Sequence, residues 1–272
     1  MTFPAPKTST TNIPIAKDAS TVMLLRDGET GIEVFLVRRV KGMAFAGGMT
    51  VFPGGGVDPS DAATELEWAG PPPAWWGEKF GVAPGRAQAL VCAAVRETFE
   101  ECGVLLAGPT PDTVVADTTA YHDARERLER HEITFGEFLT TEKLVLRSDL
   151  LRPWAHWITP VIELRRYDTH FFVAVVPEGQ IADGATSEAA EVMWRTPDGG
   201  IADWVDEQTM LMPPTWTQLN SLKEFPDTDA VLAAEPEIPA ILPEIREFDG
   251  EPRLSFPNEE AYYAMGRMPD LH

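Results

Sequence analysis

Cysteine is nearly absent from this chain: Cys92 and Cys102 are the two in 272 residues. Both fall in one segment of helical character, about 15 Å apart along its axis, too far for a disulfide between them. A disulfide framework is excluded and a reducing compartment is expected. Long hydrophobic runs are missing as well. No stretch of about 18 apolar residues occurs, and the opening "MTFPAPKTSTTNIPIAKDAS" has prolines and polar residues where a secretory core would be apolar. A cytoplasmic protein without a membrane span is the expectation. Positive charge is scarce, with 22 Lys+Arg against 43 Asp+Glu and a formal net charge of -21. That sign repels nucleic acid and anionic lipid. If the substrate is a phosphate anion, local positive charge must come from somewhere, and a bound metal is the economical source. His122, His131, His156 and His170 show no metal-ligand spacing and read as structural or surface residues.

A hydrophobic fraction of 44% is enough for a substantial core. "STVMLLR" and "IEVFLVRR" are β-rich runs joined by "DGETG" and predict a hairpin. "MTVFP" extends into Gly54-Gly55-Gly56, which reads as a turn allowing close approach to a ligand. From Ala62 to Gln88 no period survives, and the prolines and glycines predict an inserted loop. Trp68, Trp75 and Trp76 within it either pin the insertion to the core or form a lid. Two helices come after it, in "TAYHDARERLERHE" and "TFGEFLTTEKLVL". Next are strands in "WAHWITPVIE", "HFFVAVVPE" and "EAAEVMWRTP", a helix in "PPTWTQLNSLKEF", and a hairpin turned at Asp249-Gly250. The expected organisation is an N-terminal tail over 1–18 and a single domain over 19–272, with the insertion at 62–88 and a C-terminal elaboration at 198–272.

The segment "VCAAVRETFEECGVLL" carries the chemistry. On a helical wheel Glu97, Glu100, Glu101 and Ala93 fall within about 100° of one another, while Val95, Phe99, Cys92 and Cys102 cluster opposite. The acids are therefore expected to point away from the core. Like charges at these spacings cost only about 0.2 to 0.5 kcal/mol per pair, so a solvated acidic face is one reading. The other is a site for a hard divalent cation such as Mg²⁺, completed by a phosphate substrate. Gly103 is placed to end the helix.

Arg96-Glu97-Thr98-Phe99-Glu100-Glu101-Cys102-Gly103-Val104 resembles the second half of the Nudix box. Gly55 with Asp61 is similar to the first half, Asp standing for the usual Glu, although the two halves lie further apart than in the compact box. "GMTVFPGGGVDPSD" resembles the signature of Nudix coenzyme A diphosphatases through Gly48, Phe52, Pro53, Gly54, Gly55, Asp58 and Asp61. Ala44 stands where that signature has a basic residue. "VRR", "RRYDTHFF" and "LMPPTW" are similar to the peroxisomal coenzyme A diphosphatase branch, though the tail "DLH" is not an address of the Ser-Lys-Leu type.

The resemblance implies an α/β/α sandwich with a mixed sheet, and metal-dependent hydrolysis of a nucleoside diphosphate linked to another moiety. Coenzyme A or acyl-coenzyme A is the first candidate; ADP-ribose, NADH, a dinucleoside polyphosphate, or ligand binding without catalysis are the alternatives. Glu97, Glu100 and Glu101, with Gly55, would hold Mg²⁺ or Mn²⁺. Arg96 would orient a glutamate or Asp61. Gly54, Gly55, Arg38, Arg39, Arg165 and Arg166 are substrate-binding candidates, with only one of the adjacent Arg38 and Arg39 expected to reach. Glu188, Glu191 or a glutamate of the box would be the general base. The expected partner is a small nucleotide conjugate, and a homodimer is the family-based expectation.

Overall fold

The computed structural model describes residues 13–42, 46–63, 66–187, 189–248 and 251–265. Ala44, Glu188 and the expected turn at Asp249-Gly250 lie outside the described residues.

In chain order the elements are β1 (Lys17–Gly28), β2 (Gly31–Arg39), β3 (Thr50–Val51), β4 (Gly54–Gly56), α1 (Pro59–Ala63), β5 (Trp68–Ala69), α2 (Pro73–Phe80) and α3 (Pro84–Cys102). Then come β6 (Ala107–Gly108), α4 (His122–Glu129), α5 (Phe135–Glu142), β7 (Val145–Arg147), β8 (Leu151–Ile158), β9 (Tyr167–Val175) and β10 (Ala189–Arg195). The remainder is α6 (Pro197–Val205), α7 (Pro213–Leu222), α8 (Thr228–Ala233), β11 (Ala240–Ile241), β12 (Glu244–Phe248), β13 (Glu251–Ser255) and α9 (Glu259–Met265).

The main sheet runs β10-β2-β1-β9-β8-β11, with β3 on β2 and β4 on β1. It is mixed: β1 pairs parallel with β9 and antiparallel with β2 and β4. Alternation along β1 supplies two cores, because successive strand side chains face opposite ways. Val22 and Leu24 pack with Leu90, Val91 and Phe99 of α3 and with Trp76 of α2. Met23 and Leu25 pack with Ile201 and Trp204 of α6 and Trp216 and Leu219 of α7. Helices thus cover both faces, the expected α/β/α arrangement. α4 and α5 contribute Leu128, Phe135 and Phe138 to the α3 side.

Two local expectations are corrected. Gly54-Gly55-Gly56 is not a turn but a short strand paired with Thr21, Ser20 and Ala19. The segment from Ala62 to Gln88 is not a structureless loop, since it holds β5, α2 and the first turn of α3. Its prolines mark helix starts: both α2 and α3 carry Pro in their first turn, where the missing N–H would have had no helical partner. Trp76 is fully buried, with its ring 5.6 Å from that of Phe172, and Trp75 and Trp68 pack against the same core. The tryptophans therefore pin this segment to the sheet.

Candidate active site

α3 is anchored over the sheet by Ser20, whose hydroxyl donates to the Leu90 carbonyl at 2.7 Å. Ser20 is also the register partner of Gly55. That pairing sets β4 directly beneath the glutamate-bearing end of the helix. The Gly54 N–H donates to Glu101 Oε2 at 3.0 Å. Glu97 lies so close to Gly55 that a Cβ there would sit 2.5 Å from Oε1 and 2.7 Å from Cδ. Glycine at 55 thus lets the Glu97 carboxylate come this near, and a side chain there would push it back.

Arg96 is the basic partner of the crowded acids. Its guanidinium grips Asp61 with two bonds of 3.1 Å and donates to the Gly56 carbonyl at 2.9 Å. It also reaches Glu97 at 2.8 Å and Glu100 at 3.2 Å. Asp61, 1% exposed, accepts the Asp58 N–H as well. Burial alone would lower the Arg96 pKa, but Glu97, Asp61 and Glu100 hold it above its ordinary value. Burial pushes Glu100 up to about 7, against the pull of Arg96, with the charges of Glu97 and Asp61 adding to the rise.

The acids do not face open solvent. Glu100 and Glu101 are each 8% exposed, because β4 and α1 close over this side of α3. Arg125 of α4 was not anticipated from sequence. Its Nε donates to the Glu100 carbonyl at 2.9 Å and its Nη1 pairs with Asp183 at 2.7 Å, so it satisfies a carbonyl left over at the end of α3. A cavity of about 390 Å³ opens there, lined by Phe99, Gly103, Thr118, Arg125, Gln180 and Ile181. Gly103 ends the helix in the left-handed conformation, as expected.

Other candidates are not brought to the glutamates. Arg38 and Glu191 are register partners joined at 2.9 Å, and Arg38 also donates to the Gln208 carbonyl at 3.1 Å. They alternate with Val37 and Val192, which pack toward α3, so both lie on the α6 and α7 face of the sheet. Arg39 has the opposite parity and faces the α3 side. Arg166 donates to the Thr159 and Pro14 carbonyls, at 3.0 and 2.8 Å, and so is engaged in holding the β8–β9 connection. Arg165 is exposed on that connection. His156 and His170, expected as structural or surface residues, are buried and face each other across β8 and β9, and with Asp168 they form a compact group of metal-type side chains among the described residues.

The sequence model of the NUDT19 Nudix domain matches residues 78–222, more than half of the chain. The chain belongs to the Nudix family. It is similar to a Nudix hydrolase of known crystal structure from Alicyclobacillus acidocaldarius, at 26% identity and a TM-score of 0.73, covering 84% of this chain and all of that one. Among curated proteins it resembles acyl-coenzyme A diphosphatase NUDT19 of Xenopus laevis, 26% identical over 71% of this chain, and that of Homo sapiens, 25% identical over 72%. The chain spans only 60% and 61% of the length of those two relatives. No described helix is long and apolar enough to cross a membrane.

Proposed function

We propose that this Nudix protein is a metal-dependent diphosphatase that cleaves the diphosphate of coenzyme A or an acyl-coenzyme A. The products are 3′,5′-ADP and 4′-phosphopantetheine or its acyl form. The observation that carries the reading is the convergence of Glu97 and Glu101 on the glycine strand, with Arg96 and Asp61 locked behind them. This donor set fits a hard divalent cation, since it offers carboxylate oxygens beside a backbone that only glycine allows so near. Glu97, Glu100 and Glu101, with the Gly55 carbonyl, would hold Mg²⁺ or Mn²⁺. The ion, when bound, neutralises phosphoryl charge and acidifies a water.

The chain's own residues divide the remaining work. Arg96 is a positioning residue: its bonds to Asp61 and the Gly56 carbonyl fix α3 against β4, and its bonds to Glu97 and Glu100 fix the carboxylates. Arg39, on the α3 side of β2, is the phosphate contact in place of Arg38. Among the described candidates the proton acceptor for the attacking water is a glutamate of α3, because Glu191 is on the other face. The single-domain reading of 19–272 and the cytoplasmic setting belong to the same proposal, supported by two cores sharing one sheet and by two unpaired cysteines.

The coenzyme A assignment draws on the "FPGGGVDPSD" stretch and on the names of the curated relatives. Its test compares coenzyme A, dephospho-coenzyme A and ADP-ribose under one metal condition, with products resolved chromatographically. Loss of the 3′-phosphate should lower kcat/KM by roughly ten- to a hundredfold, the worth of one charge-assisted contact. Equal rates on all three would indicate a general ADP-linked pyrophosphatase.

A further inference from the structure

His170 of β9 is 0% exposed, and neither of its ring nitrogens has a hydrogen-bond partner. A buried imidazole that no protein group meets is an arrangement folded proteins seldom leave unexplained. Its neighbours suggest what is meant to meet it. His156 of β8 is its register partner, with ring centroids 4.0 Å apart and planes at 19°. Asp168, two positions earlier on β9, meets His156 Nε2 through Oδ1, and the same oxygen lies 3.9 Å from His170 Nδ1. One ligand atom from each of the three lies within 4.8 Å of the others.

The surroundings have the features of a metal centre's outer shell. The second oxygen of Asp168 accepts from Arg86 Nη2 at 2.9 Å, and Arg86 is itself held by Asp18 through Nε bonds of 3.0 and 3.1 Å. Such partners orient a ligating carboxylate. The Phe80 ring stands edge-on to His170 at 4.7 Å and keeps that side dry. Arg86 and Asp18 are about one-third exposed, which provides a way in.

This group is separate from the glutamates. His170 and Gly55 are both register partners of Ser20, so β1 lies between them and roughly 10 Å of sheet separates their backbones. The donor chemistry differs too. Carboxylate and carbonyl oxygens suit Mg²⁺, whereas two imidazoles and a carboxylate suit a borderline-soft ion.

We propose that His156, Asp168 and His170 form a second metal centre, taking Zn²⁺ or a similar transition ion and tying β8 and β9 to the first turn of α3 through Arg86. Binding would free His156 Nε2 by moving its proton to Nδ1 of the same ring, so that both imidazoles ligate in the neutral form, and the two rings would turn out of their stack toward the ion. The role is positional: the centre fixes the start of the helix whose other end carries the glutamates.

The test uses the tag-free 272-residue chain, stripped with chelator and titrated with Co²⁺ in excess Mg²⁺, with X-ray absorption of the loaded protein. The expected result is one tightly held Co²⁺ with two imidazole ligands, retained in a Glu97→Gln/Glu101→Gln variant. His156→Gln and His170→Gln should each weaken Co²⁺ binding by at least about a hundredfold, since losing even an outer-shell partner costs ten- to a hundredfold. A Co²⁺ shell of oxygen alone in the unaltered protein overturns the proposal, as does binding lost in the glutamate variant and kept in the histidine variants. The X-ray absorption result decides the matter even where a histidine variant fails to fold.

Discussion

Gly55→Ala isolates the contact between the glycine strand and the glutamate helix. Gly55 does not have a positive φ, so alanine introduces no backbone strain. What it introduces is a Cβ 2.5 Å from Glu97 Oε1, where ordinary contact begins at 3.4 Å. The carboxylate must retreat by close to an ångström, and it can do so because it ends a flexible side chain. A displacement of about 1 Å in a catalytic constellation costs on the order of a hundredfold in rate, about 2.7 kcal/mol of barrier. Stability should change by no more than about 1 kcal/mol, since the lower unfolded-state entropy of alanine offsets part of the crowding. Gly54→Ala is the contrasting case, because its φ is 153° and its Cβ would run into the backbone of Ser20 and Thr21. That variant should lose stability outright. The assay is steady-state turnover at saturating Mg²⁺ on the conjugate the unaltered protein cleaves best, beside a thermal melt of each variant. Full kcat in a folded Gly55→Ala protein would refute the placement of Glu97.

Arg96→Met leaves Asp61 and the glutamates without their shared cation in a buried site and should destabilise the fold by about 3 to 5 kcal/mol in urea unfolding; an unchanged midpoint would show that the network is not structural. Trp76→Ala should cost about 3 to 5 kcal/mol through the cavity it leaves, and a raised KM at full stability would instead favour a lid. Glu191→Gln should keep kcat within about twofold, as for a surface pair; a hundredfold loss in a folded variant would return the general base to β10.

The chemistry is legible in the sequence where it is local. The helical spacing of Glu97, Glu100 and Glu101 groups them on one face, and the alternation of Arg38 and Arg39 implies that one of them faces away. Burial is not legible, because what covers the glutamates comes from far along the chain: Gly56 and Asp61 reach Arg96 across 40 and 35 positions. The wheel therefore places in solvent two carboxylates that β4 and α1 enclose. Gly54-Gly55-Gly56 carries no strand propensity and is extended only because β1 offers an edge to pair with. The prolines at 73 and 84 resemble breakers in sequence, because a proline starts a helix only when the residues after it have a face to bury. His156 and His170 have no ligand spacing in sequence; the antiparallel register of β8 and β9 alone sets them face to face.

Whether the glutamate face of α3 is the catalytic metal site is decided by the turnover of Glu97→Gln, Glu100→Gln and Glu101→Gln at saturating Mg²⁺ or Mn²⁺. Each variant should fold and lose at least about a hundredfold in kcat. Three folded variants that cleave the substrate at the rate of the unaltered protein would rule the site out.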